Sequence, residues 1–518
     1  MKISICWVMF NCILLGMLVL SDGLLPAHAA QYSSTPDLAA IDAYVKSQMQ
    51  SDRIPGLALG IVKGNRIIHL SGFGVADPTG RPVTPQTPFI IGSMSKSFTA
   101  LAILQLVEEG KVELDAPVQR YIHWFSTADP QASTHITVRY LLNHTSGIPS
   151  YAGLKAMGGT GDGTLEQRVR ELSTIPLTAP VGTTFQYSND NYVVLGLIIQ
   201  MVSGQSYGEY IQQHIFVPLQ MHHSFVSQTE AMRDGLATGH LWWFGTPFPA
   251  NLPYIPDALP ASFIISSAEN MTHYLIAHMN DGDYSSTSVL DPAGIATLHR
   301  PAAVISQTGD HYAMGWVVGS LNGVPVLWHG GDTANFHADM VIVPRDQLGI
   351  VVLTNVNNGL IQLEQLGKMG RIIAGVTNLL MGHQPSDAVL SVQMVYFIFD
   401  VVVLLLSTLQ IWSLVLVLRH WRQPLQQRSL KRLWLVFLPL LWELLLPLGL
   451  LLGLLLGLNL FDLTWSVVVL YAPDLSYWLM AMFLLLLATG VTRIVQVFSR
   501  IRRTNASTKI DTPLLSEV

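Results

Sequence analysis

The hydrophobic pattern of the chain changes near its C-terminus, where long apolar stretches replace a mixture of apolar and polar positions. Three stretches, 395–418, 433–458 and 476–494, approach or exceed the roughly 20 apolar residues that cross a bilayer as a helix. The apolar residues 463–473 are too few to cross, and we interpret them as a loop or an interfacial segment. The pattern therefore predicts three transmembrane helices, followed by a tail at 499–518.

Basic residues are concentrated in two of the segments that flank these stretches. They are Arg419, Arg422, Arg428, Lys431 and Arg432 after the first stretch, and Arg493, Arg500, Arg502, Arg503 and Lys509 around the end of the third. The connection between the second and third stretches contains no Lys or Arg. Because Lys and Arg accumulate in cytoplasmic segments, we expect a cytoplasmic C-terminus and an extracytoplasmic location for the residues before 395.

Residues 1–30 have the pattern of a secretory signal peptide. Lys2 precedes an apolar core, and Ala27 and Ala29 are the small residues expected near a cleavage site. An uncleaved anchor helix is the alternative, and either one exports the residues that follow. Both cysteines, Cys6 and Cys12, lie in this segment, so the sequence after it can form neither a disulfide framework nor a cysteine-based metal site.

Composition supports insertion in a membrane and argues against one class of partner. Half of the residues are hydrophobic and 12% are charged, whereas a soluble domain has about 25% charged residues. Mean hydropathy is +0.39. The net charge of −6 argues against a nucleic-acid partner, because proteins that bind nucleic acids are usually basic. We therefore predict a multi-pass protein of the cell membrane with the lipid bilayer as one partner.

Residues 31–383 form the predicted extracytoplasmic domain, and residues 384–394 link it to the membrane region. Apolar periodicity predicts helices at 38–49 and 95–109. A β-hairpin, four later strands and a closing helix complete the pattern, at 57–62 with 66–72, at 313–319, 325–329, 338–343 and 349–354, and at 359–381. We expect an α+β fold, in which both ends of the domain share one antiparallel sheet flanked by helices and a helical subdomain lies between them.

A candidate nucleophile lies at the start of the second predicted helix. Ser93 and Lys96 form an S-x-x-K motif, and residues three apart share one face of a helix, so the lysine can reach the serine hydroxyl. A lysine in a buried site can lose its proton and accept that of the serine. The N-terminus of a helix also favours a developing oxyanion. Alone, the motif also fits a capping serine beside a solvated lysine.

A second serine competes for this role. Gly204–Gly208 reads G-x-S-x-G with Ser206 at its centre, which is the pattern of the nucleophile elbow in α/β-hydrolases. An elbow requires a strand before the serine. Residues 192–203 have the length of a helix instead, and Gly204 fits the end of that helix. We therefore favour Ser93 and keep Ser206 as the alternative.

Two further motifs follow Ser93 and Lys96 in the chain. They are Tyr187-Ser188-Asn189 and His329-Gly330-Gly331. The order S-x-x-K, Y-x-N and H-x-G resembles the serine β-lactamase and penicillin-binding-protein superfamily over residues 35–380. Within it, the chain is most similar to the branch of class C β-lactamases, D-alanyl-D-alanine carboxypeptidases, D-aminopeptidases and esterases. The matching segments are 141–147, 260–261, 266–271 and 312–316.

The resemblance implies roles for three catalytic residues. Ser93 would be the acylated nucleophile, and Lys96 would take or share its proton. Tyr187 would act as a general base and later pass the proton to the leaving group. A phenol ionises near pH 10, so this role requires positive charge from Lys96 to lower the pKa of Tyr187.

The resemblance also implies the residues that bind the substrate. Asn189 would hold its amide or carbonyl group beside His329, Gly330 and Gly331. The backbone N–H groups of the nucleophile and of Asp332 would form the oxyanion hole. Class C β-lactamases have a lysine in place of His329, and histidine is only partly charged at neutral pH. This difference favours a peptidase or an esterase without excluding a β-lactamase.

Two other features have a structural interpretation beside a functional one. His144 is expected to shape a loop. The aromatic residues Trp242, Trp243, Phe244 and Tyr254 either line the substrate cleft or cover a loop.

The sequence thus predicts a membrane-anchored, extracytoplasmic serine hydrolase that acts on amide or ester bonds through an acyl-enzyme. A D-alanyl-D-alanine carboxypeptidase, a D-aminopeptidase or an esterase comes first. The alternatives are a β-lactamase and a sensor of β-lactams or peptides that signals through the membrane helices. The expected substrate is a cell-wall peptide, a D-amino-acid peptide, an ester or a β-lactam. No cofactor or metal is expected, and the sequence identifies no protein partner.

Overall fold

The computed structural model describes residues 37–156, 163–357, 369–385, 391–419, 449, 451–453, 456 and 465–508. The predicted signal peptide lies outside these residues. The second predicted transmembrane helix, 433–458, lies almost entirely outside them, and both therefore stay predictions. The predicted tail is described only as far as residue 508.

Most of the strands belong to one antiparallel sheet. In the described residues the strands are β1 Gly56–Lys63, β2 Arg66–Gly74, β3 Phe89–Ile90, β4 His240–Trp243, β5 Thr246–Pro249, β6 Ile265–Ser266, β7 Asp283–Tyr284, β8 Thr287–Ser288, β9 Ala303–Val304, β10 His311–Tyr312, β11 Val317–Leu321, β12 Val324–Asp332, β13 His337–Val343 and β14 Leu348–Thr354. The large sheet has the order β2–β1–β14–β13–β12–β11–β10–β9. Strand β1 pairs antiparallel with β14, so both ends of the domain share one sheet as predicted.

Helices cover both faces of this sheet. In the same described residues the α-helices are α1 Leu38–Ser51, α2 Ser95–Glu108, α3 Pro130–Ser133, α4 Val138–Leu142, α5 Ser150–Ala156, α6 Leu165–Glu171, α7 Asn189–Ser203, α8 Tyr207–Ile211, α9 Gln228–Arg233, α10 Ala268–Met279, α11 Pro292–Leu298, α12 Arg371–Leu380, α13 Val392–Arg419, α14 Trp465–Tyr471 and α15 Pro473–Thr508. Helices α3 to α9 supply most of the predicted helical subdomain.

Strand β1 shows how the sequence assigns side chains to the two faces. Leu57, Leu59 and Ile61 belong to the core layer shared with α1 and α12. Ala58 and Val62 belong to the opposite layer, which contains α2 and α10. Successive side chains of a strand point to opposite faces, and a sheet covered on both sides therefore has a continuously apolar central strand.

Helix α2 lies in the interior between the sheet and the helical subdomain. Every residue from Ser95 to Leu106 is buried. The helix packs against α7 and against the turn Leu259–Phe263. Its polar first turn, which carries Lys96, is buried together with the apolar remainder. This position brings the candidate nucleophile to the junction of the two parts of the domain.

The predicted elements of the domain are confirmed in most cases, with two differences in bounds. The strand expected at 313–319 begins only at Val317, because residues 313–316 form a turn in which the Ala313 N–H donates to Trp316 O over 2.7 Å. Gly315 supplies the positive φ of +77° that this turn requires. The closing helix is described from Arg371 to Leu380, and residues 359–368 of the prediction lie outside the described part.

Among the described residues, two helices are long and apolar enough to cross a membrane, namely α13 and residues Pro473–Gln496 of α15. Only 6% and 17% of their most apolar windows are buried, unlike the core helix of a soluble protein. The third predicted span, 476–494, lies within the longer helix α15. The first predicted span corresponds to α13, which begins at Val392 instead of residue 395. Residues 465–471 form the short helix α14, so the loop alternative for this segment was wrong and the interfacial alternative stays a prediction.

The two apolar helices run in the same direction and are joined by polar contacts. The Trp478 indole donates to Ser407 Oγ over 3.1 Å near one end of the pair. The Arg493 guanidinium donates to Ser413 Oγ over 3.1 Å further along both helices. Residue numbers thus increase together along the interface.

Both helices contact the domain through the hairpin of β4 and β5. The ring of Trp242 stacks on Tyr396 of α13 with 5.2 Å between centroids. The Phe244 N–H donates to Asp474 Oδ2 of α15 over 3.1 Å. Trp243 contacts Tyr477 of α15. Trp242, Trp243 and Phe244 therefore connect the domain to the apolar helices, which neither sequence interpretation expected. The Tyr254 hydroxyl instead lies 3.0 Å from the carbonyl oxygen of Val226 and 2.9 Å from that of Phe263, in line with a residue that covers a loop.

Candidate active site

Ser93 lies in a tight connection between β3 and α2. Residues Gly92–Met94 form a single 3₁₀ turn, and Gly92 has a φ of +54°, which an L side chain rarely adopts. A Cβ at this position would lie 2.3 Å from the backbone nitrogen of Asp332. Glycine therefore lets two backbone segments meet at the nucleophile. The Ser93 side chain is half-buried and remains accessible.

Lys96 is fully buried one turn further along α2. Its Nζ lies 3.1 Å from Ser93 Oγ, 2.8 Å from Asn189 Oδ1 and 2.9 Å from the carbonyl oxygen of Ala261. Burial lowers the pKa of the amine well below its usual value. A neutral amine has two N–H donors and one lone pair. Nζ donates to all three oxygens, and once the amine has lost a proton its lone pair can accept the hydroxyl proton of Ser93.

Tyr187 lies over the same amine. Nζ of Lys96 is 4.6 Å from the centroid of its ring, and its phenol hydrogen-bonds with Ser93. Burial raises the pKa of the phenol, and the hydrogen bond with Ser93 only partly opposes this. The expectation that Lys96 lowers the pKa of Tyr187 is thus not met, because burial of the phenol outweighs the contribution that lowers its pKa. The phenol keeps its proton at neutral pH.

The imidazole ring of His144 packs against the ring of Tyr187. The centroids of the two rings are 4.4 Å apart. Its Nδ1 accepts hydrogen bonds from the Ser188 N–H over 3.1 Å and from Asn191 Nδ2 over 3.0 Å. Burial lowers the pKa of His144 well below its usual value, so the ring is neutral. His144 therefore holds the loop that carries Tyr187, in line with the expected structural role.

His329 of β12 is buried, and both of its ring nitrogens have partners. Nδ1 donates to the carbonyl of Gly330 over 2.6 Å, and Nε2 accepts from the phenol of Tyr312 over 3.1 Å. Burial lowers the pKa of His329 to about 4, and nearby Lys96 acts in the same direction. The third motif therefore presents a neutral group at neutral pH. Tyr312 belongs to the matching segment 312–316, but no pattern in the sequence predicted its hydrogen bond with His329.

The backbone at the end of β12 touches the backbone around the nucleophile. A Cβ on Gly331 would lie 1.9 Å from the carbonyl oxygen of Ile91 and 3.0 Å from the backbone nitrogen of Ser93. Asp332 follows directly and approaches Gly92. The backbone nitrogens of Ser93 and Asp332 thus lie in the two segments that meet at the nucleophile, and their role as an oxyanion hole stays a prediction.

The Asp332 carboxylate belongs to a network of two salt bridges. Its Oδ1 is 2.7 Å from Nδ1 of His337, and Nε2 of His337 is 2.8 Å from Oδ2 of Asp339. The two carboxylates raise the pKa of His337 well above its usual value, although burial opposes this. The imidazolium bridges β12 and β13 and fixes the strand end that carries Asp332. The sequence analysis missed this histidine, since His337 belongs to no motif.

Ser206 has a structural role. It is the residue before α8, where its Oγ accepts the N–H of Glu209 over 3.2 Å and the Glu209 carboxylate accepts the Ser206 N–H over 2.9 Å. Gly204 ends α7 with a φ of +75°, as predicted. A helix therefore precedes this serine in place of the strand that a nucleophile elbow needs.

The part of the chain that the structure describes contains no group of three or more His, Cys, Asp or Glu residues that could hold a metal ion.

Comparisons with known proteins agree with this geometry. A family model described as Beta-lactamase matches residues 41–362. Protein flp of Staphylococcus aureus (strain MW2) is 28% identical over 474 residues, which cover 90% of this chain and 92% of that protein. Penicillin-binding protein 4 of Amycolatopsis lactamdurans is 30% identical over 313 residues, covering 58% of this chain and 81% of that protein.

Two solved structures have a similar fold. The octameric penicillin-binding protein homologue from Pyrococcus abyssi superimposes with a TM-score of 0.60 at 28% identity, covering 67% of this chain and 78% of that one. EstCE1, a hydrolase with promiscuous acyltransferase activity, gives a TM-score of 0.57 at 22% identity, covering 66% and 98%. The latter similarity concerns the fold alone.

Proposed function

The chain belongs to the beta-lactamase family, and from this premise we propose that it is a membrane-anchored serine hydrolase that cleaves neutral esters or amides through an acyl-enzyme. The observation that carries the proposal is the buried amine of Lys96, 3.1 Å from the Ser93 hydroxyl and held by two oxygen acceptors. Burial lowers the pKa of this amine, so it can serve as the base that activates the serine.

Acylation begins when Ser93 Oγ attacks the substrate carbonyl and gives its proton to Nζ of Lys96. The N–H groups of Ser93 and Asp332 stabilise the oxyanion that forms. Asn189 accepts a hydrogen bond from Lys96 through Oδ1, so its NH₂ group is the part available to a substrate carbonyl. The sequence left open whether Lys96 or Tyr187 is the main base, and the two pKa directions favour Lys96.

Tyr187 then serves the leaving group. Its protonated phenol donates to the departing nitrogen or oxygen and takes the proton that Lys96 received from Ser93. Nζ of Lys96 and the phenol of Tyr187 both contact Ser93 Oγ, which supports this transfer. Water then attacks the acyl carbonyl and gives its proton to Nζ of Lys96, and this proton passes to Ser93 Oγ as the acid leaves.

His329 supports neutral substrates over carboxylates. A penicillin and a D-alanyl-D-alanine peptide both present a carboxylate beside the reacting bond. The neutral imidazole of His329 already donates through Nδ1 to Gly330 and accepts through Nε2 from Tyr312. We therefore place an esterase or a D-aminopeptidase before a D-alanyl-D-alanine carboxypeptidase, and a β-lactamase after both.

Anchoring in the membrane is supported by the two apolar helices. Their most apolar windows are largely exposed, which suits lipid better than water. Their common direction requires a return of the chain between them, consistent with the second crossing predicted at 433–458. With the positive-inside orientation, the domain contacts the extracytoplasmic ends of both helices.

Hydrolysis by the full-length protein in detergent micelles tests the proposal. We expect kcat/KM for a neutral p-nitrophenyl ester to exceed that for a chromogenic cephalosporin at least tenfold, because a hydrogen bond to a charged group contributes about 1.5–3 kcal/mol. Ser93→Ala should abolish ester hydrolysis, and Ser206→Ala should retain it. A cephalosporin rate equal to or above the ester rate would identify a β-lactamase instead.

A sensor is the second candidate, since the β4–β5 hairpin contacts both apolar helices directly. The lifetime of the penicillin adduct separates the two functions. An adduct that persists for hours, together with no turnover of any ester or peptide, would contradict the hydrolase and support the sensor.

A further inference from the structure

Helix α14, which joins the membrane region, reaches the catalytic cleft. A mainly apolar cavity of about 110 Å³ lies between it and the domain. Met232, Phe263 and Phe336 line the cavity from the domain, and Leu470 and Tyr471 line it from the end of α14. The cavity is thus built from two parts of the chain that are distant in sequence.

Two of the residues that line this cavity are close neighbours in the chain of residues at the candidate active site. Thr333, which directly follows the oxyanion-hole residue Asp332, is part of its lining. Phe263 is two residues from Ala261, whose carbonyl holds Lys96. The phenol of Tyr471 also contributes to the raised pKa of Tyr187.

The end of α14 is held in place by its surroundings. Val467 is 4% exposed and Ala472 is 9% exposed. Two residues later, Asp474 accepts the N–H of Phe244 over 3.1 Å. Helix α14 also contacts α5, which packs next to Asn189. A fixed helix end beside reactive groups can act as a wall of a binding site.

We propose that α14 is a wall of the substrate cleft and that this cavity is a subsite for a short apolar acyl group, with Leu470 and Tyr471 as specificity-determining residues. The inference rests on the proposed hydrolase function. The oxyanion hole holds the acyl carbonyl, so the space beyond Asp332 receives the acyl chain. A cavity of about 150 Å³ can hold benzene, so a volume of about 110 Å³ fits roughly four carbons.

Chain-length selectivity of the full-length protein in micelles tests this subsite. Each buried methylene contributes about fourfold, so kcat/KM should rise roughly 15-fold from p-nitrophenyl acetate to butyrate, which adds two methylenes, and fall again for octanoate. Leu470→Ala and Tyr471→Ala should each lower the butyrate-to-acetate ratio at least threefold. Tyr471→Phe should retain the ratio, because it keeps the ring.

Tyr477 offers the matched control. It lies on α15 six residues after Tyr471 and is 51% exposed, so Tyr477→Ala should leave the ratio unchanged. Thermal unfolding of each variant shows whether it is folded. A folded Tyr471→Ala protein with the wild-type ratio would overturn the subsite.

A second readout does not depend on turnover. The rates at which methyl and butyl fluorophosphonates label Ser93 should show the same preference and the same loss in Tyr471→Ala. Labelling without chain-length preference, with ester hydrolysis intact, contradicts the subsite alone. Absence of Ser93 labelling in the wild type contradicts the proposed function and the subsite with it.

Discussion

Replacing Gly331 by alanine perturbs the contact on which the oxyanion hole depends. The added Cβ would lie 1.9 Å from the carbonyl oxygen of Ile91, whereas ordinary contact begins at 3.4 Å. The position of the added Cβ is set by the backbone of residue 331, and the Ile91 oxygen is itself a backbone atom, so no side-chain rotation can relieve this contact. The end of β12 must therefore shift by about 1.5 Å relative to the nucleophile turn.

A shift of this size should be costly for catalysis. A misplacement of about 1 Å can reduce a rate about 100-fold, which corresponds to about 2.7 kcal/mol of transition-state stabilisation. We therefore expect Gly331→Ala to lower kcat/KM for p-nitrophenyl butyrate at least 100-fold. Because the substrate-binding groups keep their identity, the loss should appear mainly in kcat.

The neighbouring glycine gives the comparison variant. A Cβ on Gly330 would meet Asp339 Oδ1 at 3.2 Å, and that side chain needs to move only by a few tenths of an ångström. Gly330→Ala should therefore lose less than tenfold. Equal losses in the two variants, or a loss below threefold in a folded Gly331→Ala protein, would refute the argument that this contact builds the oxyanion hole.

Three further predictions concern protons. Because burial lowers the pKa of Lys96, kcat/KM should rise with pH and level off well below pH ~10. Lys96→Arg should lower kcat/KM at least ~100-fold in ester assays, because arginine keeps its proton. An unchanged pH profile in Lys96→Arg would contradict the role of Lys96 as the base. Tyr187→Phe should lower kcat for an alkyl ester ~100-fold or more, because an alkoxide needs a proton to leave, yet it should retain fluorophosphonate labelling of Ser93, because fluoride leaves without one; equal loss of labelling would point to Tyr187 as the base. The pKa of His329 is depressed to about 4 in the folded protein, so the unfolded chain binds more protons at this residue between about pH 6.5 and 4, and the free energy of unfolding should fall by up to about 3 kcal/mol as pH falls through that window. The loss of stability between pH 7 and pH 4.5, measured by unfolding, should be smaller in His329→Gln than in the wild type. An equal loss in the two proteins would assign it to other groups.

The sequence predicted those elements that have a local apolar periodicity and those residues that belong to a short motif. The hairpin of β1 and β2 follows from alternating apolar runs around a turn, and α2 follows from its periodicity. Ser93, Lys96 and Asn189 could be predicted together because each belongs to a short motif. The structure brings Ser93 and Asn189 within hydrogen-bonding reach of the Lys96 amine.

Contacts between distant segments could not be predicted in this way. The carbonyl of Ala261 binds Lys96 across 165 positions, and the phenol of Tyr312 binds His329 from another strand. The pKa direction of Tyr187 depends on burial, which no motif encodes. The position of Tyr471 in the lining of a cavity with Thr333 and Phe336 depends on how the C-terminal helices pack against the domain.

Covalent labelling of the full-length protein tests the central claim most directly. A fluorophosphonate should add one adduct per chain, and peptide mapping should locate it on Ser93. The adduct should be absent from Ser93→Ala and present in Ser206→Ala. An adduct on Ser206, or one that persists in Ser93→Ala, would contradict the assignment of Ser93 and Lys96 as the reactive pair.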